Sequence, residues 1–269
     1  MTDTDPTTEL SSKFYHAVRI LEQFDCAEVR GVAKGQLSLT ERETCVFGLY
    51  YRAALNARSL VVLNDPVHFQ AITQIARALL ELGVDLRLLD VVPDAVAKIM
   101  AYSGWEKLRA AREVIEFAET PDTDEPGDLD IFRQFLEENE VKIRARREEL
   151  WPDVKRLDHW SGMDLRTRVS DIRLPYHELH RLNYRRLSWY AHAGLTGVFN
   201  LEKEAFVAVA ATSLQIAAES YSDILAAIIA ELQLERVDPK INDKLNYARM
   251  LAFAGSPEEA DVLRRELLE

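Results

Sequence analysis

The stretch EKEAFVAVAATSLQIAAESYSDILAAIIAEL, residues 202–232, decides the fold of this chain. Alanine and larger aliphatic residues occupy most of its circumference at helical spacing, and neither proline nor glycine interrupts it. A helix that is apolar on nearly all sides must be surrounded by other helices to be shielded from water. The stretch therefore predicts a central helix within a helical bundle.

Helical patterns continue on both sides of this stretch. Apolar residues recur at intervals of three and four, glycine is scarce, and the period-2 alternation of strands is absent. Helix starts are marked by a capping box from Thr40 to Glu43, by Pro66 after an aspartate, and by Ser256 with Pro257. We predict an all-α bundle of four or more long helices with accessory short helices, more than about 60% helical.

Breaks in the helical pattern predict the domain organisation. The segment TPDTDEPGD, residues 120–128, combines two prolines, a glycine and a run of acidic residues, so it predicts a solvated loop. We predict an N-terminal helix and loop over residues 1–39, a bundle core over residues 40–235 that contains this loop, and a C-terminal helical hairpin over residues 236–269.

Composition limits the classes of function. The chain has 269 residues, of which 48% are hydrophobic and 29% charged, and it lacks the run of apolar residues that a membrane span needs. Its acidic first residues do not look like a signal peptide. We therefore expect a cytoplasmic protein with no membrane association. Cys26 and Cys45 lie in helical patterns and are expected to be buried thiols.

Charge is distributed unevenly along the chain. The net charge of −12 argues against a protein that coats nucleic acid nonspecifically. Residues 142–186 nevertheless contain 12 basic and 7 acidic residues. This local excess has two interpretations, a solvated helix face with surface ion pairs or a patch that faces an anion.

Several kinds of catalytic site are absent from the sequence. The segment HELH, residues 177–180, is one residue short of the zinc motif H-E-x-x-H, so we interpret His177 and His180 as surface histidines. The sequence has no paired Glu-x-x-His motifs and no glycine-rich phosphate loop. We predict neither a metal nor a cofactor.

The richest group of polar residues lies in the stretch 159–194. On a helix, the spacing of Tyr184, Arg185, Ser188 and His192 brings their hydroxyls, guanidinium and imidazole toward one face. Such a face contains the parts of a small polar site.

A structural role for His192 remains open. It precedes Gly194 by two residues, where a helix would end, and a cationic histidine is favoured in the last helical turn. In that case the aromatic residues before it would belong to the core or to an interface: Tyr184, Trp189 and Tyr190.

A second polar pattern lies in a leucine-rich helix. Arg77, Glu81 and Asp85 stand four residues apart. They form either a solvated stripe with ion pairs one turn apart or an inward stripe that meets His192 across the bundle.

Three short motifs occur in a fixed order: Arg77-x-x-x-Glu81, Trp160-Ser161-Gly162 and Tyr184-x-x-Leu187-Ser188-x-x-x-His192. Over roughly residues 40–235 they resemble a widespread bacterial family of helical proteins of unassigned function. The resemblance implies a helical fold similar to HEPN domains (higher-eukaryote and prokaryote nucleotide-binding).

HEPN ribonucleases place an arginine shortly before a histidine on one helix, and this chain is similar. Six residues separate Arg185 from His192, and five separate Arg186 from it. The residue after the arginine, usually polar and often an amide in HEPN sites, is a second arginine here. The resemblance implies that the histidine moves protons while the arginine holds the scissile phosphate. It gives catalytic candidates Tyr184, Arg185, Ser188 and His192, with ligand-binding or supporting candidates Arg77, Glu81, Asp85 and Arg186.

Two functions of different classes follow. In the first, the protein is a HEPN-like effector of a bacterial stress or phage-defence system, a metal-independent ribonuclease that cuts RNA as a homodimer. In the second, it is a non-catalytic helical module that binds a protein partner or a small ligand. For either, we expect a homodimer with the helix over residues 176–192, or its neighbour, at the interface.

Overall fold

A computed structural model describes residues 6–35, 39–63, 65–120, 129–191 and 203–254. Of these residues, 82% are helical, and no strand occurs among them. The predicted all-α fold class is confirmed. None of the helices within these ranges is both long enough and apolar enough to cross a membrane.

The helices follow one another in the predicted order. A π-helical segment, Asp25–Val29, joins the first two, and short 3₁₀ turns occupy Pro66–His68 and Leu234–Arg236. The α-helices are α1 (Pro6–Phe24), α2 (Arg30–Lys34), α3 (Glu41–Val62), α4 (Phe69–Val91), α5 (Ala95–Ala118), α6 (Asp130–Leu150), α7 (Leu165–Val169), α8 (His177–Ala191), α9 (Lys203–Glu231) and α10 (Ile241–Phe253).

The capping signals have mixed outcomes. The box at the start of α3 is confirmed, since Thr40 Oγ1 accepts from the Glu43 amide at 3.2 Å and the Glu43 carboxylate accepts from the Thr40 amide at 2.7 Å. Pro66 opens a 3₁₀ turn capped by Asp65, so α4 itself begins three residues later than predicted. The predicted cap at Ser256 lies outside the described residues.

The chain divides into two compact units. Unit 1 contains residues 1–87 and 169–269, and unit 2 contains residues 88–168. In unit 1, α9 packs against α1, α3, α8 and α10, and its residues Ala210, Ala217 and Leu225 are completely buried. The stretch that predicted a central helix thus forms one. The predicted divisions near residues 39 and 235 fall within unit 1 and stay predictions.

Unit 2 is built on the pairing of α5 with α6. Gly104 of α5 faces the Ile143 side chain of α6. The guanidinium of Arg147 lies over the Trp105 ring, 5.0 Å from its centroid. No residue of α6 is fully buried, because one face of this charged helix packs on α5 and the rest faces solvent.

The π-helical segment corrects the prediction for one cysteine. Cys45 is buried as expected, but Cys26 is exposed. A π-helical turn is wider than an α-helical one, so it shifts the faces on which its residues lie. Here Asp25 lies inside at 0% exposure, and Cys26 lies outside.

Candidate functional site

The described candidate residues all belong to unit 1 and lie on two helices. Helix α4 carries Arg77, Glu81 and Asp85, and the other described candidates lie on helix α8. His192, the proposed proton-transfer group, lies outside the described residues. The residues that can be placed on α8 are Tyr184, Arg185, Arg186 and Ser188.

The inner face of α8 meets α4 through a polar cluster. Arg77 Nε donates to Glu81 Oε1 at 2.8 Å, and Arg77 Nη2 donates to the Tyr184 hydroxyl at 3.2 Å. The guanidinium also lies over the Tyr184 ring, 4.9 Å from its centroid. The Arg77 and Glu81 side chains are only 20% and 26% exposed. The α4 stripe is therefore half-buried against α8 and is not a solvated surface stripe.

Other polar residues of α4 extend this packing. Asp85, one turn after Glu81, is buried at 7% exposure. Near the other end of α4, the Gln74 side chain donates to the Ala191 carbonyl at 3.2 Å, and the Thr73 hydroxyl lies 2.9 Å from that of Ser213 on α9. The first of these contacts joins α4 to the end of α8, and the second joins α4 to α9.

The outer face of α8 contains Arg185, Arg186 and Trp189, and it differs from the inner face. Both arginines are exposed, and neither forms a hydrogen bond or ion pair with another described residue. One turn earlier, by contrast, Arg181 pairs with Glu178 at 2.8 Å. Trp189 is 65% exposed, which is high for a residue type that is usually well buried. The structure therefore separates Arg185 from the Arg77 cluster.

Ser188 lies between these two faces. Its hydroxyl oxygen is buried and has no hydrogen-bond partner among the described residues. A serine needs a neighbouring base to act as a nucleophile. The described part of the chain supplies Ser188 with no such base, so the geometry favours a packing role for it.

A cavity of about 420 Å³ lies between α8 and α9. Its volume falls in the range of small-ligand sites, about 300–1,000 Å³. It brings one candidate residue, Arg186, beside two hydroxyl side chains of α9. The lining residues are Arg186, Leu187, Tyr190, Ala205, Ala208, Val209, Thr212 and Ser213.

The Trp160-Ser161-Gly162 motif belongs to unit 2 and closes a corner of the chain there. The indole N–H of Trp151 donates to the Trp160 carbonyl at 2.9 Å. Gly162 has φ of +75°, and a Cβ at this position would lie 3.0 Å from Trp151 Cδ1. Only glycine fits this position without strain.

His159 stabilises the same corner through its hydrogen bonds. Its Nε2 lies 2.8 Å from Arg168 Nη1, and its Nδ1 lies 2.9 Å from Ser161 Oγ. The Ser161 backbone amide also donates to Nδ1 at 3.1 Å. The imidazole is therefore held by residues of the corner itself, so the geometry favours a structural role.

Sequence reasoning missed a buried polar cluster at the π-helical segment. Tyr50 donates a short hydrogen bond to the Asp25 carboxylate, which also accepts from Arg30 Nη2 at 2.6 Å. Burial, followed by the charge of Asp25, raises the pKa of Tyr50 and of Tyr221. An aspartate directly after the apolar stripe of α1 was the available signal, since a buried charge needs partners.

His180 was wrongly interpreted as a surface histidine. Its Nε2 is buried and lacks a hydrogen-bond partner among the described residues. Burial and the nearby charge of Arg87 lower its pKa. The spacing of His180 could have indicated its burial, because His180, Asn183 and Leu187 lie on one face of the helix and the last two are buried. Across the described residues, no group of three or more His, Cys, Asp or Glu side chains could hold a metal ion.

Comparison with known proteins identifies the family of this chain. A search of curated proteins and a search of solved structures both return no significant match. The model of a "Family of unknown function (DUF5677)" matches residues 43–205, more than half of the chain. This match includes all three motifs singled out in the sequence. The chain therefore belongs to the DUF5677 family of unknown function.

Proposed function

We propose that this protein is a HEPN-like RNA-binding protein of a bacterial stress or phage-defence system that cuts RNA without a metal ion. The observation that carries the proposal is the outer face of α8. There, Arg185 and Arg186 are exposed, make no ion pair with another described residue, and lie within one helical turn of the exposed Trp189.

This combination of side chains suits single-stranded RNA. Guanidinium groups bind phosphates, often through two hydrogen bonds, and an exposed indole provides a surface on which an unpaired base can stack. Arginines already paired with carboxylates would have to break those pairs first, whereas Arg185 and Arg186 need not. Residues 169–186, the part of this basic stretch that belongs to unit 1, contain four basic and two acidic residues, and this excess supports local phosphate binding in a chain whose net charge is −12.

The proposed cleavage assigns different roles to two residues. Neutral His192 accepts the proton of a ribose 2′-hydroxyl as its oxygen attacks the adjacent phosphorus. The P–O5′ bond then breaks to leave a 2′,3′-cyclic phosphate, and the leaving 5′-oxygen takes a proton from the protonated histidine or from water. Arg185 stabilises the negative charge that develops on the phosphate. This assignment of His192 rests on the HEPN resemblance.

We further propose that the active form is a homodimer. Leu179 and Leu182, which neighbour the outer face of α8, are 48% and 47% exposed, and a second copy would bury them. HEPN-like domains usually pair, and pairing through this helix would place two copies of Arg185 in one cleft. Light scattering at micromolar concentration should give the mass of a dimer, and a monomer mass would contradict the assembly.

The proposal is tested with a fluorescent single-stranded RNA and purified protein. His192→Ala should reduce cleavage by about 10²–10⁴-fold while RNA affinity is largely kept. Arg185→Lys should also reduce cleavage, because an ammonium cannot reproduce bidentate phosphate contact. Arg181→Ala is the matched control and should cleave normally. Cleavage that survives His192→Ala, or that a chelator abolishes, would contradict the ribonuclease assignment.

A non-catalytic module that binds a small ligand is the second candidate function. The cavity of about 420 Å³ between α8 and α9 favours it, since Arg186, Thr212 and Ser213 could bind a small anionic group there. In this case Thr212→Val, which keeps the side-chain shape and removes the hydroxyl, should weaken ligand binding without altering RNA affinity. Calorimetry with a set of small carboxylates and phosphates provides the measurement.

A further inference from the structure

A second, smaller cavity in unit 1 contains a histidine nitrogen with no partner. The cavity measures about 70 Å³ and lies between α4, α8 and α9. It is larger than the roughly 10–15 Å³ that one water molecule requires and smaller than a site for a drug-sized ligand. His180 lines it, and the buried Nε2 of this residue has no hydrogen-bond partner among the described residues.

The surroundings of His180 fix which nitrogen is available. The Pro175 carbonyl lies near the His180 ring, on the side away from the unpartnered Nε2, and favours an N–H on the nitrogen that faces it. The pKa of His180 is lowered, first by burial and then by the charge of Arg87, so the ring is neutral. A neutral imidazole with one N–H already donated presents an acceptor lone pair on its other nitrogen.

The charged groups of the cavity already have partners. The Asp223 carboxylate accepts from Arg87 at 2.8 Å and lies 3.6 Å from Arg249. Glu219 accepts from the Gln215 side chain at 2.9 Å. The unmet requirement in this cavity is therefore a hydrogen-bond donor for His180 Nε2.

Backbone strain accompanies this arrangement. Tyr176, which lines the cavity, has φ of +59° immediately before the start of α8. An aromatic residue rarely adopts this left-handed conformation, and such strain tends to occur at functional sites. The turn at Tyr176 directs the preceding carbonyl, that of Pro175, toward His180 and toward Arg87, whose Nη1 lies 3.5 Å away.

We propose that this cavity binds a neutral hydroxyl-bearing ligand, such as the edge of a sugar or polyol, which donates a hydrogen bond to His180 Nε2. The ligand is neutral because burial and Arg87 disfavour positive charge at this nitrogen, whether the charge belongs to a proton, an ammonium group or a metal ion. The side-chain amide of Asn183 offers a second polar contact, and Leu80 and Leu179 supply the apolar wall. The inference does not depend on RNA binding at the outer face of α8.

NMR of the full chain labelled with ¹⁵N-histidine tests the proposal, with D-ribose, glycerol and ethylammonium as probes. Ribose or glycerol at millimolar concentrations should shift the His180 Nε2 resonance in a saturable way, while ethylammonium should not. His177, one turn earlier and partly exposed, is the internal control and should remain unchanged. Asn183→Leu should weaken the response severalfold.

Two results would overturn the site. One is an Nε2 resonance that ribose and glycerol leave unchanged, which would mean that water is its only occupant. The other is saturation by ethylammonium in place of the neutral probes. His180→Phe serves only to assign the resonance, so the test does not depend on the folding of that variant.

Discussion

Two regions of the molecule contain residues of the three sequence motifs or residues next to them. One is the Trp160 corner, the turn of unit 2 that contains Trp160, Ser161 and Gly162, and the other is the outer face of α8 in unit 1. The two regions differ in whether their polar side chains have hydrogen-bond partners. In the corner, His159 forms hydrogen bonds with both Ser161 and Arg168. On the outer face, Arg185 and Arg186 bond to no other described residue. Polar residues that satisfy one another stabilise a fold, whereas exposed and unpaired ones are available to a ligand. The comparison therefore favours a structural role for the corner and supports the proposed binding role of α8.

Gly162→Ala should have the largest effect on stability. The new Cβ would lie 3.0 Å from Trp151 Cδ1 on a backbone with φ of +75°, so we expect the free energy of unfolding to fall by about 2–4 kcal/mol. Urea denaturation provides the measurement. Gly104→Ala is the control, because its Cβ would lie 3.6 Å from Ile143 and alanine is favoured in a helix. Equal losses in both variants would contradict the structural role of the corner.

Glu81→Ala should have an intermediate effect. It leaves half-buried Arg77 with the Tyr184 hydroxyl of α8 as its hydrogen-bond partner among the described residues, so we expect a loss of about 1–3 kcal/mol in the free energy of unfolding. Glu106→Ala removes an ion pair whose partners are 41% and 47% exposed, and should change stability by about 0.5 kcal/mol or less. A melting curve of Glu81→Ala that matches that of wild type would contradict the packing of Arg77 and Glu81 against α8.

Interactions between residues of one helical turn could be predicted from the sequence, because the spacing alone places the two interacting residues side by side. The Thr40–Glu43 box is such a case, and the apolar circumference of α9 likewise depends on one helix alone. The pairing of Arg77 with Tyr184 spans 107 residues and depends on how the helices pack. For that reason the sequence could not decide whether the Arg77 stripe faces solvent or the interior of the bundle.

The candidate site was predictable only in part. Spacing placed Tyr184, Arg185 and Ser188 on one helix, but it grouped them on a common face that the structure divides. The cluster around Asp25 joins residues that are far apart in the chain, and it sits in a π-helical segment that α-helical periodicity does not anticipate. The role of His192 stays a prediction.

His180 should make stability depend on mildly acidic pH. Its folded-state pKa is lowered by burial, so the unfolded chain binds this proton more readily. The contribution is fully present above the ordinary histidine value of about 6.5 and is lost as pH falls toward the folded pKa. His180→Gln should therefore flatten the decline in urea midpoint below neutral pH, and a decline as steep as that of wild type would contradict this prediction. We expect the change in urea midpoint to be modest, because a single group titrates.

Arg185→Ala should have the smallest effect on stability. Its side chain is exposed and forms no hydrogen bond or ion pair with the rest of the described chain, so we expect a change of about 0.5 kcal/mol or less. Thermal melting of this variant beside Glu81→Ala compares the two faces of α8 directly. A large loss of stability in Arg185→Ala would show that the outer face contributes to the fold.

The most direct test of RNA binding at α8 is the salt dependence of RNA affinity. The affinity of a single-stranded RNA, followed by fluorescence anisotropy over a range of salt concentrations, should fall linearly on logarithmic axes. Replacing both Arg185 and Arg186 with alanine should make that slope shallower by about 1.4, or about 0.7 for each lost phosphate contact. Arg181→Ala should retain the wild-type slope. An unchanged slope in the double variant, or an equal change in Arg181→Ala, would contradict the assignment of RNA binding to this face.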